Sequence, residues 1–224
     1  MQAWPSTQED LVSEQVRLGA EIPERWEMPE VLCSMGGVFI CYPKRHEGAG
    51  AAGDPCWVAA SWIQGRSVKT NVVAGRTAAP YCPGLLALRE GPLLESAVRG
   101  LPELPEVLLV NATGRDHPRR AGLALHLGQR LHLPTVGVTR NPLIAAGELP
   151  AEAAGSIAPL RIREEIVGYW LRVKPSKPPL AIHGAWRTSP ETAAAIVMAS
   201  IGRWRTPEPL RLARQAARAA RARS

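Results

Sequence analysis

The sequence lacks the long apolar run, about 20 residues, that a membrane-spanning helix requires. Its first residues, MQAWPSTQED, contain neither the basic nor the apolar segment of a secretory signal peptide. Cysteine is scarce as well: the four cysteines lie far apart without a C-x-x-C pair, which argues against structural zinc and, in a reducing compartment, against disulfides. These absences together predict a cytoplasmic protein that does not bind a membrane.

Aromatic residues make up only 5% of the chain, whereas basic residues exceed acidic ones and give a net charge of +7. This excess of positive charge favours an acidic partner such as nucleic acid. A general preference for arginine and alanine would produce the same charge, so charge alone does not establish a partner. The length of 224 residues and the apolar fraction of 46% fit one domain with a buried core, spanning residues 1–224.

The first third of the chain predicts one helix and three strands. Apolar positions at helical spacing predict the helix over residues 9–21. Three apolar and β-branched runs joined by turns predict strands over residues 31–42, 56–63 and 67–75. Strands this close in sequence favour an antiparallel meander.

The middle of the chain alternates between helices and strands. Residues 80–100 predict a helix with Pro83 in its first turn, and Pro92 is expected to bend or restart it. A strand over residues 106–110, a helix over about 119–131 and a strand over 135–140 follow. Such alternation predicts parallel pairing of these strands after the meander.

The last third begins with a Gly-, Pro- and Ala-rich segment, residues 141–165, which we expect to be a loop. Residues 167–173 and 180–184 predict a late pair of strands. Ser189 as N-cap, followed by Pro190, predicts the start of a helix.

The C-terminal segment from about residue 208 predicts a basic helix. Its arginines recur every three or four residues and therefore share one face: Arg211, Arg214, Arg218 and Arg221. Such a face can contact phosphates, and it can equally be a solvated or frayed terminal helix.

Several motifs in this order resemble the endonuclease V family over nearly the whole chain. They are the GGV strand, PYCPGLLALREGP, LLVNATG, HPRRAGLALHLG, LPTVGVTR, VGYWLRV and PEPLRLA. The resemblance implies an α/β, ribonuclease-H-like fold: a mixed five-stranded central sheet, an antiparallel meander followed by parallel strands, flanked by helices. It also implies Mg²⁺- or Mn²⁺-dependent hydrolysis of a phosphodiester near hypoxanthine in DNA or RNA, by a monomer.

The family's catalytic positions match this chain only in part. Glu90, in LREGP, matches a glutamate that binds the metal in the family. Phe39 stands where the family has the aspartate of GVD, and Asn111 stands where it has the aspartate of a DG turn. Arg140 replaces a lysine, whereas the histidine of HPRR is kept as His117. The resemblance thus assigns metal contacts to Glu90 and, weakly, to Asn111, and catalytic positions to Glu90, Asn111, His117 and Arg140.

Because a phenyl ring offers no ligand and an amide brings no charge, we expect the metal site to be degraded and Mg²⁺ binding to be weak or lost. The alternative is an active Mg²⁺-dependent enzyme with rearranged ligands. Asp116 is the foremost candidate for a substitute carboxylate, and Asp54 and Glu47 are two others.

The nucleic-acid side of the site is better preserved. PYCP matches the motif that the family inserts near the lesion, and a tyrosine ring can stack on an exposed base. The loop after Asn111 would present backbone amides and two arginines to a phosphate or a flipped base. The nucleic-acid contacts assigned in this way are Pro80, Tyr81, Cys82, Pro83, Gly114, Arg119 and Arg120.

Three functional hypotheses follow from the residues. The leading one is a nucleic-acid-binding member of the family that recognises hypoxanthine or distorted strands and cleaves them slowly or not at all. The second is the active enzyme with rearranged ligands. The third is a changed pocket for another phosphate-bearing ligand, lined by Trp170 and Trp186. Trp186 stands where the family has the histidine of its GHR motif, and Arg187 keeps the arginine of that motif.

Overall fold

The computed structural model describes residues 3–44 and 50–224 as one mixed β-sheet with helices on both faces. The strands are β1 (Met35–Cys41), β2 (Pro55–Gln64), β3 (Ser67–Arg76), β4 (Val107–Val110), β5 (Thr135–Thr139), β6 (Ile157–Ile162), β7 (Glu165–Leu171) and β8 (Leu180–Gly184). The helices are α1 (Gln8–Ala20), α2 (Leu86–Arg99), α3 (Leu123–Leu131), α4 (Pro190–Ala199) and α5 (Glu208–Arg223). None of the helices in these two ranges is both long and apolar enough to cross a membrane.

The strand order is β3-β2-β1-β4-β5-β8-β7-β6. Strands β1, β2 and β3 form the predicted antiparallel meander, and β1, β4 and β5 are parallel neighbours, as predicted. The predicted α/β, ribonuclease-H-like class is confirmed. The predicted strand number of five is wrong, because β8, β7 and β6 extend the sheet beyond β5 through antiparallel pairs.

Strand β6 lies within residues 141–165, a segment that the sequence predicted to be a loop. It is the edge strand of the sheet, carries Pro159 and is mostly exposed. Proline is tolerated at an edge because its missing N–H can point away from the neighbouring strand. The tertiary pairing with β7 therefore forms a strand that local composition does not indicate.

Two helices differ from their predicted forms. Helix α2 runs through Pro92 as one α-helix, so the proline neither ends nor restarts it. Helix α3 begins at Leu123 rather than near residue 119. Arg120 adopts a left-handed backbone conformation with φ of 58°, which interrupts any helix before that point. The predicted start of α4 is confirmed, since Ser189 Oγ accepts from the N–H of Thr192 at 3.1 Å.

The alternating side chains of β1 separate the two layers of helices. Val38 and Ile40 belong to the core that contains residues of α1, α2 and α3. Phe39 and Cys41 pack on the opposite face, against Ala217 of α5. Helix α5 thus packs against the sheet and covers Phe39.

Candidate nucleic-acid site

The two parallel strands β4 and β5 end at the same edge of the sheet, and Asn111 and Arg140 directly follow them in the chain. Both residues line a cavity of about 840 Å³ that extends along α5. Phe39 lines the same cavity from the neighbouring strand β1. The structure therefore brings together Phe39, Asn111 and Arg140, as the family resemblance implied.

Phe39 is the only phenylalanine of the chain, and its ring is half-buried against α5. A phenyl ring has no lone pair for a cation. Asn111 is exposed at the end of β4 and offers a neutral amide. Two of the three positions at which the resemblance implied an acidic residue thus carry no charge here.

Glu90 does not line this cavity. It lies on α2, on the opposite face of the sheet from α5, and is 7% exposed. Its Oε1 accepts a hydrogen bond from the Tyr42 hydroxyl at 2.6 Å. Burial raises the pKa of Glu90 to about 7, against smaller lowering effects from Tyr42 and Arg89. A metal ion at Glu90 would have to compete with the Tyr42 hydroxyl for Oε1.

The candidate substitute carboxylates are engaged elsewhere. Asp116 is fully buried, and its two oxygens accept backbone N–H groups from the segment 143–145 at 2.5, 2.9 and 2.8 Å. In addition, His183 Nδ1 lies 3.7 Å from Asp116 Oδ2. Asp54 Oδ2 pairs with Arg89 at 2.7 Å. Glu47 lies outside the described residues.

Across residues 3–44 and 50–224, no group of three or more His, Cys, Asp or Glu side chains is arranged to hold a metal. The polar side chains around the cavity are mainly two amides, Asn111 and Gln215, two threonine hydroxyls and guanidinium groups. Guanidinium groups repel a cation and have no acceptor to offer it. The residues that are present therefore do not fit a divalent metal ion.

The cavity is instead lined by five arginines: Arg140, Arg205, Arg211, Arg214 and Arg218. No Asp, Glu or His is among the described residues that line it. Three of the four arginines that the sequence placed on one face of the C-terminal helix are in this set, whereas Arg221 donates to the Tyr42 carbonyl at 2.9 Å. The lining by Arg205 and Trp204 was not predicted, because the segment before α5 has no motif.

A second cavity, of about 190 Å³, adjoins the first at Asn111 and Thr139. It is lined by His117 and by the PYCP segment, of which Tyr81, Cys82 and Pro83 are lining residues. All four residues Pro80–Pro83 are exposed, and the Tyr81 side chain is 46% exposed. The structure therefore brings the segment assigned to nucleic-acid contacts next to Asn111.

Three side chains hold the PYCP segment in place through one backbone carbonyl. The oxygen of Gly84 accepts from Gln15 Nε2 at 3.0 Å and from Arg119 at 3.2 Å. His117 Nε2 lies 3.0 Å from the same oxygen, while its Nδ1 accepts the Arg119 N–H at 3.2 Å. Nε2 must therefore carry the proton, and burial lowers the pKa of His117, which favours this neutral form. His117 and Arg119 act here as positioning groups, and Gln15 is a contact that the sequence did not indicate.

The remaining residues of the HPRR loop do not form an open phosphate-binding turn. Arg120 pairs with Glu165 at 2.9 Å and lines a third cavity, away from Asn111. Gly114 is buried, and a Cβ atom at this position would lie only 2.8 Å from the Ala185 Cβ atom. The close packing of this loop therefore requires glycine here. The predicted contacts of Gly114 and Arg120 with nucleic acid find no support in these positions.

The two tryptophans of the third hypothesis lie in the interior. Trp186 is 7% exposed in the core with α1, α2 and α3. Trp170 is 9% exposed in a separate cluster, and its indole N–H donates to Gly147 at 3.4 Å. Neither lines the two cavities that meet at Asn111.

An antiparallel meander continued by parallel strands, with helices on both faces and a cavity at the strand ends, defines the ribonuclease-H-like class of α/β proteins. The family model described as Endonuclease V matches residues 15–215. The chain therefore belongs to the endonuclease V family.

Relatives of this family match the chain at different lengths. An Endonuclease V of Nocardia farcinica is 34% identical over 216 residues, which are 96% of this chain and 93% of that protein. That of Nostoc punctiforme is 32% identical over 210 residues, 94% of this chain and 93% of that protein. The match to the Endonuclease V of Methanopyrus kandleri is 42% identical but covers only 64% of this chain and 62% of that protein.

Solved structures agree with the fold. The crystal structure of the Endonuclease V from Streptomyces avermitilis has a TM-score of 0.86 at 31% identity and covers 99% of this chain and 96% of its own. Ciona intestinalis Endonuclease V, solved in complex with a 24mer DNA containing an inosine, has a TM-score of 0.79 at 22% identity and covers 97% and 99%. At that identity the likeness concerns the fold alone.

Proposed function

We propose that this protein binds DNA or RNA strands that contain hypoxanthine or a local distortion, and that metal-dependent cleavage of these strands is weak or lost. The observation that carries the proposal is the cavity at the ends of β4 and β5. It joins the exposed PYCP segment to Asn111, Phe39 and Arg140 and contains no carboxylate among its described lining residues.

Recognition is supported by the way the PYCP segment is held. Two prolines flank Tyr81, and three side chains bind the Gly84 carbonyl behind it. A fixed backbone lowers the entropy cost of binding, and an exposed tyrosine ring offers a stacking surface for a base. A protein of the same fold, Ciona intestinalis Endonuclease V, has been solved with DNA that contains an inosine.

Loss of cleavage is supported by charge. Mg²⁺ and Mn²⁺ favour anionic oxygen ligands, whereas this cavity offers two neutral amides, Asn111 and Gln215, and an excess of guanidinium groups. Removing two carboxylates from such a site costs several kcal/mol of cation binding, and each 1.4 kcal/mol is about a factor of ten in rate. The alternative enzyme with rearranged ligands is disfavoured by Asp116, whose oxygens both accept backbone N–H groups.

The test is a paired binding and nicking experiment. Matched oligonucleotides of DNA and RNA, with hypoxanthine or adenine at one position, are incubated with the protein in Mg²⁺ and in Mn²⁺. We expect tighter binding of the hypoxanthine strands and at most trace nicking. Rapid nicking by the unmodified chain would overturn the loss of cleavage, and equal affinity for both bases would overturn the recognition of hypoxanthine.

A variant that restores the family's residues is the matched control for the assay. It combines Phe39→Asp, Asn111→Asp and Arg140→Lys. We expect it to bind Mn²⁺ more tightly than the unmodified chain in titration calorimetry, because two carboxylates return to the cavity and one guanidinium leaves it. Equal Mn²⁺ affinity of the two proteins would contradict the assignment of these positions to the metal site.

A further inference from the structure

The cavity that borders Phe39 and Asn111 carries positive charge without a matching acid. Of its arginines, Arg211 is paired with Glu208 through Nε at 2.8 Å. The other four have no ion pair with any carboxylate in residues 3–44 and 50–224: Arg140, Arg205, Arg214 and Arg218. Four guanidinium groups around one cavity at the strand ends form a strong field for an anion.

The guanidinium groups are close enough to disturb one another. Removal from water lowers the pKa of the Arg214 guanidinium, and neighbouring positive charges lower it further. Those neighbours are Arg218, Arg140 and Arg211. Mutual repulsion of this kind costs free energy in the empty cavity, and a bound anion would remove that cost.

One donor in the cavity has no acceptor. Arg205 donates through NH2 to the Pro179 carbonyl at 2.9 Å, but its Nε atom is buried without a hydrogen-bond partner among the described residues. A buried donor that lacks an acceptor is destabilising. The oxygens of a phosphate group match the fork of an arginine and would satisfy such donors.

The rim of the cavity favours a nucleic-acid strand over a free phosphate. Trp204 lines the cavity with 53% of its surface exposed, and the Arg203 guanidinium lies 5.3 Å from its ring. An exposed tryptophan at the rim of a cationic cavity provides a surface on which a base can stack. The PYCP segment lies on the adjoining cavity, so a strand can contact both.

We propose that this cavity binds a backbone phosphate of a single strand directly, through Arg140 and Arg214, with a neighbouring base stacked on Trp204 and no divalent cation between protein and phosphate. The proposal rests on the proposed function, because it specifies how the strand is held at the same site. The arginines supply the positive charge that a metal ion supplies in the rest of the family. A strand held in this way is bound but not hydrolysed.

The experiment measures the affinity of a fluorescent single-stranded oligonucleotide in EDTA. The variant combines Arg140→Gln and Arg214→Gln, and the matched control is Arg223→Gln, an exposed arginine of α5 that does not line the cavity. We expect the double variant to lose at least about tenfold in affinity and its log–log salt slope to fall by about 0.7, which is one phosphate contact on a single strand. The control is expected to keep both values.

Two further arms identify the bound group. Pyrophosphate is expected to raise the thermal unfolding midpoint of the unmodified chain but not that of the double variant. Trp204→Ala is expected to weaken strand binding about fivefold or more and to leave the pyrophosphate effect unchanged. If the double variant does not fold, the single variant Arg140→Gln is used instead, because that side chain is exposed.

Several outcomes would overturn the inference. They are equal strand affinity of the double variant and the control, strand binding that requires Mg²⁺, and pyrophosphate binding without any strand binding. Strand binding that depends on the two arginines but shows no preference for hypoxanthine would contradict the proposed function and support this inference. A preference for hypoxanthine that is unchanged in the double variant would support the proposed function and contradict this inference.

Discussion

Three single residues differ from the family's motifs, and the sequence alone identifies all three positions. Phe39, Asn111 and Arg140 were assigned from motifs, and the structure places all three on one cavity. The same motifs assign Glu90 to the metal site; it lies on α2, where its Oε1 accepts from the Tyr42 hydroxyl, and that assignment stays a prediction. A motif fixes the identity of a residue, whereas the direction of its side chain depends on packing that no local pattern shows.

Tyr81 provides a prediction at this scale. Tyr81→Ala removes the exposed ring from the PYCP segment, and we expect the affinity for a hypoxanthine strand to fall about 5- to 150-fold, the equivalent of about 1–3 kcal/mol of stacking. Tyr81→Phe keeps the ring and is expected to bind like the unmodified chain. Equilibrium titration of both variants decides the matter, and equal binding by Tyr81→Ala would show that the ring only packs against the start of α2.

His126 gives a second prediction, on pH. It is fully buried in α3, and its ring centroid lies 4.5 Å from that of Trp4. Burial lowers the pKa of His126 from 6.5 to about 3. This direction holds although a Glu14 oxygen lies 3.4 Å from Nε2. As the pH falls below 6.5, the histidine takes up a proton in the unfolded chain but not in the folded one. The neutral His126 therefore contributes its full share to the free energy of unfolding above pH 6.5, and this contribution is lost as the pH falls towards 3.

The expected loss is about 1.4 kcal/mol for each pH unit in this window. His126→Phe keeps an aromatic ring but cannot be protonated, so its free energy of unfolding is expected to change less between neutral and acidic pH. Denaturant unfolding at a series of pH values measures this, with His132→Asn, an exposed position, as the control. Identical pH profiles for His126→Phe and the unmodified chain would refute the assignment.

At the scale of elements, α5 shows both what the sequence predicts and what it cannot. Spacing alone places Arg211, Arg214 and Arg218 on one face, and the helix is observed over Glu208–Arg223. The spacing left open whether that face meets solvent or a ligand. Only the packing of Ala213 and Ala217 against the sheet turns the arginines towards the cavity. This contact depends on the shapes of both the helix surface and the sheet surface, so the sequence of α5 alone does not determine it.

The close approach of α5 to β1 can be tested at Gly37. A Cβ atom there would lie 2.6 Å from both the Leu210 nitrogen and the Pro209 oxygen, so helix and strand would have to separate. Gly37→Ala is expected to lower the free energy of unfolding by about 2–3 kcal/mol and to weaken strand binding. Gly202→Ala, where the nearest atom is Glu208 Oε2 at 3.7 Å, is the control. Urea unfolding with equal midpoints for both variants would contradict this packing.

At the scale of the whole molecule, fold and family were predictable because motifs run along most of the chain. The meander, the parallel strands and the start of α4 followed from hydrophobic pattern and capping residues. The edge strand β6 was missed, since Pro159 and an exposed face resemble a loop until β7 pairs with it. The net charge of +7 indicated an acidic partner, and the structure concentrates part of that charge at the strand ends.

We propose that the arginines of the cavity take the place of a bound cation. The most direct test is a crystal structure of the protein grown with Mn²⁺ and a hypoxanthine-containing oligonucleotide, with anomalous diffraction collected for manganese. We expect a phosphate oxygen within hydrogen-bond distance of Arg214 or Arg140 and no manganese peak beside Asn111. A fully occupied manganese ion bound there by Asn111 and a carboxylate would contradict it.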